Sequence, residues 1–135
     1  MHTPATAPAS ALAERAYPGA PEQISAVRAD LRALLGDSPI ADDVILCASE
    51  LATNAALHSR SRKPGAQFTV RAEIHPGDYA WIEVEDDGGQ WTQTPASPAR
   101  AHGLDIIRAL AADWGIDGDD ASWTVWARID WPGYS

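Results

Sequence analysis

Cysteine is almost missing from this sequence. Cys47 is the single one in 135 residues, so an intramolecular disulfide and any cysteine-based metal site are excluded. It lies in an apolar-periodic stretch and reads as a small buried residue, not a reactive thiol. Basic residues are scarce as well: 10 Lys and Arg stand against 19 Asp and Glu, for a net charge of −9, and no basic stripe forms. Such a chain repels phosphate backbones at long range, so direct nucleic-acid binding is not expected. A single nucleotide remains compatible with that charge, because Mg²⁺ and helix N-termini can act locally against the global field. No apolar run approaches the ~18 residues of a spanning helix, so no membrane association is expected. The start, MHTPATAPASALAER, has Ala-x-Ala pieces but neither a basic opening nor a continuous apolar segment. A secretory leader is therefore not expected. A cytoplasmic chain is, with a flexible tail over residues 1–12 and one domain over 13–135. The common catalytic signatures are missing too. There is no G-x-x-x-x-G-K-S/T loop, no G-x-G-x-x-G after a strand, no H-E-x-x-H and no nucleophile elbow, and the four histidines are scattered.

What is present falls into two periodic regimes. Residues 13–19, AERAYPG, read as a short edge strand closed by Pro-Gly. PEQISAVRADLRALLG follows with Ile24, Val27, Leu31 and Leu34 at helical spacing, Pro21 at its front and Gly36 as its stop. IADDVILCASELATNAALHS is a second helix, with Val44, Cys47, Leu51 and Ala55 in one stripe and Ile45, Ala48 and Ala52 beside it. Asp42 and Asp43 sit in its first turn, where the helix dipole favours negative charge. After the polar loop SRSRKPG the period changes to two. AQFTVRAEI and YAWIEVED alternate apolar with polar residues around the turn HPGD, as two half-buried antiparallel strands do. Residues 87–103 show no period and hold several turn formers; a loop of that length in a compact domain is usually functional. HGLDIIRALAADWG returns to helical spacing, and GIDGDDASWTVWARIDW reads as strand, Gly-Asp turn and long strand. The order implies an α+β fold: a two-layer sandwich of a mostly antiparallel, mixed sheet with helices on one face.

Three polar clusters interrupt this packing pattern. Glu50, Asn54 and His58 are spaced four apart and stack along one helix face. Asn is a poor helix former that prefers caps and turns, so Asn54 in mid-helix asks for a reason. A carboxylate and an amide one turn apart offer hard oxygen ligands to Mg²⁺, although both residues also fit a solvated surface. His58 near a helix C-terminus is favourable to the dipole with or without a function. Asp86-Asp87-Gly88-Gly89 follows a strand; it is a turn by composition, or a carboxylate able to accept a hydrogen bond from an exocyclic amine beside glycines that admit a flat ring. His102-Gly103-Leu104 opens a helix after the long loop, either as a cap or as backbone N–H groups turned toward phosphates.

Taken together, these clusters resemble the GHKL ATPase superfamily, whose fold is the Bergerat ATP-binding fold and which includes histidine kinases, the ATPase half of gyrase and bacterial anti-sigma factors. ELATNAALH is similar to the E-L-x-x-N-A-x-x-H box of the short anti-sigma and serine-kinase branch, and TVWARI to its closing strand; the resemblance runs from about Tyr17 to Ile129. It implies ATP and Mg²⁺ as ligands, Glu50 as the base on an attacking hydroxyl, and Asn54 as the Mg²⁺ ligand with His58 on the same box. It further implies Asp86 on the adenine amine, Gly88 admitting the base, Thr124 at the adenine edge, Gly103 and Leu104 closing a lid, and Arg100 and His102 near the phosphates. The implied partners are proteins: an anti-sigma antagonist phosphorylated on serine or threonine, and a sigma factor held through another face. Dimerisation is left open. Three motifs depart from the family pattern: Gln90 replaces the second glycine of D-x-G-x-G, Ala101 the first glycine of the lid, and Ser122-Trp123 a Gly-Lys pair. Each makes the phosphate side less permissive. A non-catalytic switch, in which nucleotide only orders the lid, therefore stands beside the kinase, as does a domain that has lost nucleotide.

Overall fold

The change of period after the second helix is realised as a hairpin, β2 (Gln67–His75) and β3 (Tyr79–Asp86). Both strands bury every second residue, Phe68 to Ile74 on one and Ala80 to Asp86 on the other. The turn between them closes through the Asp78 N–H donating to the His75 carbonyl at 2.9 Å. It passes through Gly77 at φ +82°, a conformation that penalises any residue with a Cβ. The structure, a computed structural model, describes residues 11–58, 66–86, 105–119 and 122–132.

Around that hairpin the chain builds a five-stranded antiparallel sheet in the order β1-β2-β3-β5-β4, with β1 (Ala11–Pro18) on one edge and β4 (Asp113–Asp119) on the other. β5 (Ser122–Asp130) pairs with both β3 and β4. Every pairing among the described strands is antiparallel, so the expected mixed sheet is purely antiparallel here. Helices α1 (Ile24–Leu35) and α2 (Ala41–His58) cover one face, and residues 105–110 are helical and are labelled α3.

Sequence pattern sets which side each element buries. Val27, Leu31 and Leu35 of α1 are buried, one position beyond the expected Leu34, which is half-buried. In α2 the whole expected stripe is buried: Val44, Ile45, Cys47, Ala48, Leu51, Ala52 and Ala55. Small residues on that stripe let α2 lie close over β3, and Leu51, Phe68, Ile82 and Ile107 fill the core beneath. The other face of the sheet is polar and half-exposed. Arg71 at its centre forms ion pairs with Glu14, Glu83 and Glu85, and Trp81 stacks on Trp126 with ring centroids 4.4 Å apart.

One boundary differs from the sequence reading. The helical pattern in HGLDIIRALAADWG stops at residue 110, and strand pairing begins at Asp113. The Ala112 N–H donates to the Arg128 carbonyl across the sheet, so the backbone has left the helix before Trp114. Trp114 and Ile116 then face the helices at strand spacing, opposite Ala127 and Val125. Pairing extends to Asp119↔Ser122, so Gly118 and Asp119 belong to β4 and not to the expected turn.

Candidate functional site

Three polar or charged side chains among the described residues are buried: Ser49, Asn54 and Asp86. Ser49 is satisfied locally, since its hydroxyl donates to the Ile45 carbonyl at 2.7 Å and accepts from Arg28 Nε at 2.9 Å. The other two were singled out in the sequence, Asn54 on the second helix and Asp86 at a strand end.

Asn54 lies in the second half of α2 and is only 6% exposed, yet its amide takes no hydrogen bond among the described residues. A buried amide without a partner costs roughly 1–3 kcal/mol, and native proteins leave few such groups. One helical turn earlier, Glu50 is half-buried and makes neither hydrogen bond nor ion pair among the described residues. A free carboxylate and a free amide oxygen are thus placed four residues apart on one helix. That donor set fits Mg²⁺, which takes one or two protein oxygens and completes its shell with water and phosphate. It does not fit zinc: among the described residues no cluster of three His, Cys, Asp or Glu exists. Close by, burial pushes the Cys47 thiol up to about 12, with Asp43 and Glu50 adding to the effect. The cysteine is therefore an inert part of the core.

Asp86 is the last residue of β3 and is 5% exposed, on the same face as Ile82 and Val84. A strand that carried only a core would end in an apolar or exposed residue there; a carboxylate turned into the helix-covered side can receive a donor from a ligand. α2 packs on this same strand, so the sheet joins the Asp86 end to the Glu50–Asn54 helix.

Thr124 is not on that side. It pairs with Glu85, and its neighbour Ser122 donates to Glu85 Oε2 at 2.8 Å on the outer face. Alternation puts Thr124 on the outer face too. The residue level with Asp86 is Trp123, half-buried and packed against the core. Sequence reasoning missed Trp123 because the T-V-W-A likeness drew attention to the threonine. The signal that could have found it is the alternation of Val125, Ala127 and Ile129 continued backwards by one step. Gly88, Arg100, His102, Gly103 and Leu104 lie outside the described residues, as does the side chain of His58.

A family model described as a histidine kinase-like ATPase domain matches residues 17–129. Among solved structures, the blue-light activated histidine kinase EL346 of Erythrobacter litoralis superposes with a TM-score of 0.59 at 18% identity, covering 82% of this chain and 41% of that one. The histidine kinase domain of the same Erythrobacter litoralis protein gives a TM-score of 0.56 at 16% identity, over 81% of this chain and 63% of that one. This chain thus spans less than two thirds of either structure, and likeness at that identity concerns the fold. No curated protein matches the sequence. Among the described residues no helix is long and apolar enough to cross a membrane.

Proposed function

The chain belongs to the histidine kinase-like ATPase domain family, and on that premise we propose that it is a Mg²⁺·ATP-dependent regulator that phosphorylates a serine or threonine of a partner protein. The partner class, an anti-sigma antagonist with a sigma factor bound elsewhere, follows from the likeness of ELATNAALH to the anti-sigma branch. The observation that carries the reading is the buried Asn54 amide, which takes no hydrogen bond among the described residues, one helical turn from the unpaired Glu50 carboxylate.

In this reading Asp86 accepts a hydrogen bond from the adenine amine and fixes the base end. The Asn54 amide oxygen holds the metal, which when bound neutralises charge on the phosphate oxygens. Glu50 accepts the proton of the attacking hydroxyl; its placement one turn from Asn54 puts base and metal ligand on one face. Positioning and charge neutralisation supply most of the rate in phosphoryl transfer, so a half-buried carboxylate and a fixed amide suffice as protein groups at this end.

The test separates chemistry from binding. Capture of the native partner by co-purification, followed by transfer of labelled phosphate from ATP, should give a phosphorylated partner with the wild type. Glu50→Gln should retain Mg²⁺·ATP binding and lose transfer by at least ~100-fold, the size of a general-base contribution. If Glu50→Gln regulates its partner in cells as the wild type does, the kinase reading fails and the nucleotide-ordered switch remains. The substitutions Gln90, Ala101 and Ser122-Trp123 at the glycine motifs favour that second reading.

A further inference from the structure

The outer face of the sheet carries aromatic and charged side chains where the inner face carries the core. At its centre Trp81 of β3 and Trp126 of β5 stack, with ring centroids 4.4 Å apart and planes 9° from parallel. Both are half-buried. Gly115 of β4 is level with Trp126 and leaves it room: an added Cβ there would lie 2.8 Å from the indole ring. The Trp81 indole N–H donates to Glu83 Oε1 at 2.8 Å and holds the pair in one orientation. Neither ring fills the core, whose strand residues Ala80, Ile82, Val125 and Ala127 alternate with them on the opposite face. Half-exposed tryptophans are enriched at protein contact surfaces.

Charge decides what this surface accepts. Glu14, Glu83 and Glu85 surround Arg71. Register puts Glu73, Asp113, Asp117 and Asp130 on the same face, because directly paired residues share a side. Against these seven carboxylates the described strands set two guanidinium groups there, Arg71 and Arg128. A second copy of the face would meet it with like charge, and nucleic acid or an anionic lipid surface would be repelled. A cationic protein surface is complementary. Arginine fits best, since its guanidinium both stacks on an indole and pairs with carboxylates. The face already holds one contact of that kind: the Arg128 guanidinium lies 5.8 Å from the Tyr79 ring centroid and pairs with Asp130 at 2.9 Å.

We infer that the Trp81–Trp126 face is a docking surface for a partner protein that presents an arginine-rich segment. It lies across the sheet from the helix that carries Glu50 and Asn54, so the inference does not depend on the nucleotide reading. The stacked indoles supply the flat apolar platform, and the surrounding carboxylates set the sign of the charge that can approach it.

Anisotropy titrations of labelled hexa-arginine and hexa-lysine peptides with the full chain test this. The wild type should bind hexa-arginine about fivefold more tightly than hexa-lysine, and added salt should weaken both. Trp126→Leu should remove most of that preference. Glu73→Gln combined with Asp117→Asn should weaken hexa-arginine binding about fivefold. Glu22→Gln combined with Asp37→Asn removes the same charge from exposed positions off the sheet and should stay within about twofold of the wild type. These carboxylates lie outside the core, so the comparison holds even where Trp126→Leu does not fold. Equal losses in the two charge variants, an unchanged preference in a folded Trp126→Leu, or no preference in the wild type would reduce the binding to a non-specific polycation effect and overturn the inference. Light scattering of the protein alone should show no dimer that Glu73→Gln with Asp117→Asn strengthens; such a dimer would make the face a contact between copies and overturn it as well.

Discussion

Asn54 shows how a single residue can be costly to the fold and still be kept. Its amide is buried and has no partner among the described residues. Asn54→Ala should therefore leave thermal stability unchanged or raise it, with Mg²⁺·ATP affinity falling tenfold or more. Scanning calorimetry and ATP titration on the same preparation check the two halves together; a variant that unfolds early would make Asn54 a structural residue. Cys47 gives the complementary case. With its thiol pushed up to about 12 and the side chain fully buried, it should resist a disulfide reagent at pH 8 in the native state and react fully on unfolding. Both residues could be read from spacing, because helical period fixes which side chains share a face. The choice between Trp123 and Thr124 could not, since one step along a strand exchanges the two faces of the sheet and only the pairing settles which is inner.

At the scale of elements, α2 carries the Glu50–Asn54 pair and packs on both α1 and the sheet. Its stripe, its length and its acidic first turn were legible because apolar spacing, propensity and dipole all agree over 18 residues. Leu51 is buried at its centre against the sheet, so Leu51→Ala should cost about 2–5 kcal/mol in denaturant unfolding. A cost below ~1 kcal/mol would mean that α2 packs less tightly than described. The junction of α3 and β4 was not legible. ALAADWG is apolar at both helical and strand spacing, and the decision is made by the Ala112–Arg128 backbone bond, a contact between residues distant in sequence. The two-strand hairpin of β2 and β3 was read to within a residue, because alternation and the Pro-Gly turn fix it locally.

For the molecule as a whole, one charge network among the described residues lies on the outer face of the sheet, where Arg71 pairs with Glu14, Glu83 and Glu85. Glu85 is held below the ordinary carboxylate range, chiefly by the Arg71 hydrogen bond and then by Ser122. A lowered carboxyl stabilises the fold fully above its unfolded value, and that stabilisation is lost as pH falls through the folded value. Unfolding midpoints should therefore be flat from pH 7 to about 5 and decline below the usual carboxylate value of ~4.3. Arg71→Gln should lower the plateau and flatten the decline, because it leaves Glu14, Glu83 and Glu85 facing one another without their cation. An acid profile identical in wild type and Arg71→Gln would remove that network from the account.

The central claim is a nucleotide held between Asp86 and Asn54. Titration of ATP into the wild type, Asp86→Asn and Asn54→Ala, each with and without Mg²⁺, tests it most directly. The account predicts binding by the wild type that Mg²⁺ strengthens, loss of that Mg²⁺ dependence in Asn54→Ala, and weaker binding under both conditions in Asp86→Asn. No binding heat from the wild type, or affinities unchanged in both variants, would contradict it.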